Sequence, residues 1–129
     1  AIQSMIDSQV KSGYWTNKRG LYGIAKHEAT HLSEYALALK RYGVEKDTGT
    51  GNLQGAIRAI RTHEIAMEIK EKALNNCNMT NDYVTIKKNL CEYAASRGSG
   101  EFLAEACSEH KPRKLAKEVQ RLFDEEMNK

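Results

Sequence analysis

The chain has 129 residues, 40% of them hydrophobic and 29% charged, with a formal net charge of +3. This describes one globular domain long enough to bury a core. No apolar run approaches the ~18 residues of a membrane span. The basic residues are interleaved with acidic ones rather than gathered into a stripe, so neither a membrane nor a nucleic acid is an expected partner.

In chain order, residues 1–19 mix an apolar start with Gly13-Tyr14-Trp15 and a polar turn, which suits a strand or a loop. No charged stretch followed by an apolar run marks a signal peptide. The first residue is Ala1 rather than Met, which suggests a processed chain or a domain cut from a longer protein with other domains; the expectation is a single domain over residues 1–129, with the second origin preferred. Residues 21–42 read as a helix. Leu21, Ile24, Ala25, Leu32, Tyr35, Ala36 and Leu39 recur at helical spacing as an apolar stripe, and Gly43 supplies a stop. Residues 43–53 are a Gly-rich connection. Thr48-Gly49-Thr50-Gly51 within it lacks the Gly-Lys-Ser/Thr ending of a phosphate loop.

A second helix is expected over residues 54–75, with Ile57, Ile60, Met67, Ala73 and Leu74 among its apolar positions, broken by Asn75-Asn76-Cys77-Asn78. Thr80 or Asn81 can cap a third, which carries Tyr83, Val84, Ile86, Leu90 and Tyr93-Ala94. Arg97-Gly98-Ser99-Gly100 reads as a turn, and residues 101–109 begin a fourth helix. Pro112 fits the first turn of a fifth, with Leu115, Val119, Leu122 and Phe123 on one face. Val, Ile and Thr rarely alternate with polar residues. The expected fold is therefore mainly α and compact, with about five helices and at most a small sheet near the N-terminal end. Cys77, Cys91 and Cys107 are an odd number in no C-x-x-C pattern. They read as reduced, partly buried thiols rather than a disulfide framework or zinc knuckle.

The chemistry lies in His27-Glu28-Ala29-Thr30-His31, an H-E-x-x-H sequence inside the first helix. Residues four apart share a helix face, so the two imidazoles can converge on one Zn²⁺, and Glu28 can reach a metal-bound water. With four histidines in the whole chain, an accidental pair at this spacing is rare. The plainer alternative is a solvated helix face. His63-Glu64 serves as a control: no second His follows four residues on, so it reads as an ordinary helix position.

A catalytic zinc usually has three protein ligands and one open position. Glu101, Glu105, Glu109 and His110 are the candidates for the third. The three glutamates, at i, i+4 and i+8, lie along one helix face. They suit either a solvated acidic stripe or, amid Phe102, Leu103, Ala104, Ala106 and Cys107, buried carboxylates that need partners.

H-E-x-x-H followed by Glu101-Phe102-Leu103-Ala104-Glu105-Ala106 resembles the E-F-[FL]-A-E-A pairing of the lethal-factor-like zincins. That group includes the protease domain of anthrax lethal factor, the clostridial Pro-Pro endopeptidases, and zincin-like domains of phage head-morphogenesis and mobile-element proteins. The resemblance spans roughly residues 20–110. It implies Glu101 as the third zinc ligand and Glu105 as a carboxylate supporting the metal-binding helix. The family places a Tyr seven residues before the ligand Glu, where its hydroxyl helps stabilise the oxyanion. That position is Ala94 here, with Tyr93 one residue earlier, and an extra residue in the turn 97–100 accounts for the offset.

The resemblance implies a zinc metallopeptidase with one Zn²⁺ per chain held by His27, His31 and Glu101. Glu28 is then the general base toward the zinc-bound water, Tyr93 assists at the oxyanion, and Glu105 accepts the other N–H of a ligand imidazole. The partner is a peptide or protein substrate, and the expected setting is cytoplasmic or associated with a phage or mobile element. Three rival readings are a catalytically weak zincin-like assembly module of a phage-type protein, a helical interaction module without metal, and a hydrolase with His110 as third ligand. The order of the motifs and the helix-ending Lys111-Pro112 argue against the last.

Overall fold

The computed structural model describes Met5, residues 21–45 and residues 48–129. Among these residues the chain is helical, with seven helices and no strand: α1 (Leu21–Arg41), α2 (Leu53–Thr62), α3 (Glu64–Asn76), α4 (Tyr83–Asn89), α5 (Glu92–Ser96), α6 (Ser99–Ser108) and α7 (Lys114–Met127). The mainly α expectation holds. The possible N-terminal strand or sheet falls on residues 1–19, which lie outside the described residues apart from Met5. No helix among the described residues is long and apolar enough to cross a membrane.

The helix ends follow local chemistry. Gly43 takes φ 67° after α1. Its N–H donates to the Lys40 carbonyl at 3.1 Å and the Val44 N–H to that of Leu39 at 2.9 Å, which satisfies carbonyls the helix leaves open. The Asn52 side chain accepts from Gly55 N–H at 3.0 Å to open α2. Asp82, rather than Thr80 or Asn81, caps α4 by accepting from Thr85 N–H at 2.8 Å. Pro112 precedes the N-cap Arg113 of α7 instead of entering its first turn.

Short α6 is the centre of the molecule, packed against α1, α3, α5 and α7. Phe102, Leu103, Ala104 and Ala106 are fully buried. Around them lie Ile65, Ile69 and Leu74 of α3, and Leu115, Val119, Leu122 and Phe123 of α7, the α7 face expected from periodicity. Each such large side chain contributes about 1.5–3 kcal/mol on burial.

Beyond these helix ends, three expectations are corrected. The second helix is two, broken at His63, whose backbone is left-handed at φ 53°, ψ 45°. Apolar periodicity runs through this break because both halves pack on the same core. A non-Gly residue in this conformation costs about 1–2 kcal/mol, and the compensation is a tertiary contact to α1. The third helix is also two. Leu90 and Cys91 leave helical geometry and turn into the core, 3% and 2% exposed.

The third correction concerns α1. Its apolar stripe is not its buried face. Leu32 is 69% exposed, and Ala25 and Ala36 are exposed too. The face turned inward carries Gly23, His27, Thr30, Glu34, Leu37 and Ala38. Polar residues can hold this position only because α6 and His63 supply partners for them.

Candidate metal centre

The inward face of α1 meets α6 where their polar residues align. His27 is 4% exposed and both its ring nitrogens are engaged by α6. Nδ1 lies 2.6 Å from Glu105 Oε2, and Nε2 lies 3.0 Å from Glu101 Oε2. His31 Nε2 lies 2.9 Å from Glu101 Oε1 and 3.3 Å from His27 Nε2. His27, His31 and Glu101 thus bring three donor atoms to one point, and theirs is the one group among the described residues able to hold a metal ion.

The electron bookkeeping of this cluster fits a cation. Glu105 is fully buried and its carboxylate can accept from His27 Nδ1–H, the tautomer that turns a lone pair on Nε2 toward Glu101 and His31. That lone pair faces a carboxylate oxygen at 3.0 Å and a second imidazole nitrogen at 3.3 Å. Electron-pair donors so close repel unless a proton or a metal cation lies between them. Ligand atoms 2.0–2.1 Å from a tetrahedral zinc stand about 3.3 Å apart, close to the separations here. Two imidazoles and a carboxylate are also a common catalytic zinc set.

The other expected residues are placed as follows. Glu28 and Tyr93 line the same cleft as the three donors, together with Leu32, Tyr35 and His63; the cleft has a volume of about 440 Å³. Glu28 is exposed to it. The Tyr93 ring centroid is 6.2 Å from that of His27, and the Arg97 guanidinium lies over the Tyr93 ring at 5.2 Å. Glu109 is buried but turned away from the cluster, holding Arg113 through Oε1 and Oε2, both at 2.9 Å. His110 is exposed and stands outside the cluster.

Behind the centre, the Cys91 thiol donates to Glu105 Oε1 at 3.4 Å. Burial, with the nearby Glu105 charge, pushes that thiol above the ordinary range. Burial likewise pushes the Cys107 thiol up to about 12. All three cysteines are buried and free.

Two residues of the site escaped sequence reasoning. Glu34, one turn beyond His31, is 2% exposed, and both its oxygens lie 3.2 Å from His63 Nδ1. It also hydrogen-bonds the backbone of Ala66 at the start of α3, where the helix dipole favours a carboxylate. Burial pushes the Glu34 carboxyl above its ordinary range, partly opposed by His63. A signal for Glu34 existed, since His27, Thr30 and Glu34 follow one helical face. His63 had none, because its position depends on a left-handed backbone. No family model, curated protein or solved structure matches the chain.

Proposed function

We propose that this chain is a zinc-dependent peptide-bond hydrolase of the Glu-liganded zincin type, similar to the lethal-factor-like and Pro-Pro endopeptidase-like proteins. The observation that carries the reading is the meeting of His27, His31 and Glu101 within ligand distance, with Glu105 on the far nitrogen of His27. One Zn²⁺ held by His27, His31 and Glu101 would supply Lewis acidity, making a bound water acidic and polarising a carbonyl. Glu28, one residue from the first ligand and open to the cleft, accepts the proton of the attacking water and passes it to the leaving amine. Glu105 fixes the His27 tautomer and orientation. Tyr93, at the cleft wall, offers its hydroxyl to the carbonyl oxygen as negative charge develops.

The cleft is within the roughly 300–1,000 Å³ typical of ligand pockets, and Leu32 and Tyr35 give it an apolar wall suited to a peptide side chain. We extend the resemblance to the setting as well: a domain of a longer phage or mobile-element protein acting on a peptide or protein substrate. Elemental analysis of purified protein tests the metal, with one zinc per chain expected. No bound zinc after supplementation overturns the whole reading. Glu28→Ala tests the chemistry: it should abolish cleavage of a proteome-derived peptide library and keep the zinc, and surviving cleavage removes Glu28 as the base.

A further inference from the structure

The Glu34–His63 pair has a geometry that packing alone does not require. His63 adopts a left-handed backbone at the α2–α3 junction, a conformation that concentrates at functional sites when held by its surroundings. Its ring lies so close to α6 that a Cβ at Gly100 would stand 2.5 Å from Nδ1. Gly100 directly precedes Glu101 of the metal cluster. His63 also lines the cleft shared by His27, Glu28, His31 and Tyr93. The chain thus brings an imidazole, held by Glu34 of α1, to the cleft that His27 and His31 also line.

The proton on that imidazole follows from burial. Glu34 is 2% exposed, and burial favours a neutralised carboxyl or one paired with a cation, a preference that the Ala66 N–H offsets only in part. Its side-chain hydrogen-bond partner is His63 Nδ1. The pair can be neutral in two ways: a carboxylate with an imidazolium, or a carboxylic acid donating to Nδ1 of a neutral ring. Both place a hydrogen on Nε2. No described residue takes that hydrogen.

We propose that His63, positioned by Glu34, donates a hydrogen bond from Nε2 to the carbonyl oxygen of the peptide being cleaved. This deepens the hydrolase reading and rests on it. The donor opposes the charge that develops as the carbonyl becomes tetrahedral, and no bond to His63 is made or broken. The role is worth most in the transition state, so it is expected in kcat and not in KM. It also offers a reason for the site to tolerate the one-residue offset of Tyr93: a second donor would come from the α2–α3 junction.

The test uses His63→Gly, which suits the left-handed backbone and removes only the ring. In the zinc-loaded protein, with the fastest-cleaved peptide of a proteome-derived library, kcat should fall about 10²–10³-fold. KM should change less than about threefold, and bound zinc should stay at one per chain. Imidazole ¹⁵N spectra of the metal-free protein, with the His63 signals identified by their loss in His63→Gly, should show Nε2 protonated at pH 7.5. An unchanged kcat, a bare Nε2, or a fall in kcat matched by loss of zinc overturns the proposal. Cleavage by the variant at the wild-type rate removes the donor role alone, whereas a zinc-loaded wild-type protein that cleaves nothing removes the hydrolase reading and this role together.

Discussion

Glu105→Gln separates the charge behind the candidate metal cluster from the packing around it. Glu105 is fully buried, accepts from His27 Nδ1 at 2.6 Å and from the Cys91 thiol at 3.4 Å. Gln has nearly the same volume, so no cavity opens, and its carbonyl oxygen can still accept from Nδ1. The charge is lost, and an amide N–H₂ replaces the oxygen that faced the Cys91 thiol, whose sulfur is a weak acceptor. A hydrogen bond to an ionised partner contributes about 1.5–3 kcal/mol against about 0.5–1.5 for a neutral pair, and His27 becomes a weaker electron donor at Nε2. Partners of this kind typically change metal affinity 10–100-fold when replaced, or about 1.4–2.7 kcal/mol. Zinc affinity measured by competition with a chromogenic chelator at pH 7.5 should fall by that factor. The metal-free protein should melt within about 4 °C of wild type, the shift expected for roughly 1 kcal/mol in a chain of this size. Unchanged affinity would refute the argument that Glu105 tunes His27. A loss of affinity accompanied by collapse of the metal-free melting temperature would assign Glu105 to packing instead.

Glu101→Ala should weaken zinc binding far more than Glu105→Gln, because it removes a donor atom, while His110→Ala should leave binding within twofold; calorimetric titration with zinc distinguishes them, and the reverse order would move the third ligand to His110. Thiol-specific reagents at pH 8 should label none of Cys77, Cys91 and Cys107 until the chain is unfolded, since all three are buried and burial raises each thiol above its ordinary range; rapid labelling of the native protein would contradict that burial. Glu118 tests the sign of a surface pair: hydrogen bonds from Arg121 and Asn76 lower its carboxyl from 4.5 to about 2. A carboxyl lowered on folding stabilises the folded state above its unfolded value and loses that contribution as pH falls from 4.5 toward 2. Glu118→Gln should therefore cost up to about 1 kcal/mol at pH 7, the scale of a solvated ion pair, and only a small part of that at pH 2, read from denaturant melts at both values.

The amino-acid sequence on its own determined the features that depend on short-range geometry. Helical spacing puts His27 and His31 on one face whatever surrounds them. The same spacing puts Glu101 and Glu105 on one face of α6, and the expectation that the two helices meet came from a resemblance rather than from spacing. The α7 face of Leu115, Val119, Leu122 and Phe123 was equally legible, because an apolar stripe against an apolar core is what periodicity measures.

Only the tertiary structure decided which side of α1 is inside. Periodicity locates a buried face by its apolar residues, and here the buried face is polar, with His27 held by Glu101 and Glu105 and Glu34 held by His63. Those partners lie 29 to 78 residues away, beyond the reach of any local pattern. His63 shows the same limit most sharply. Within its own stretch it is a helix residue with no second histidine. Its left-handed turn exists because α1 offers a buried carboxylate and Gly100 leaves room for the ring, and so a position that local spacing marks as ordinary becomes part of the cleft.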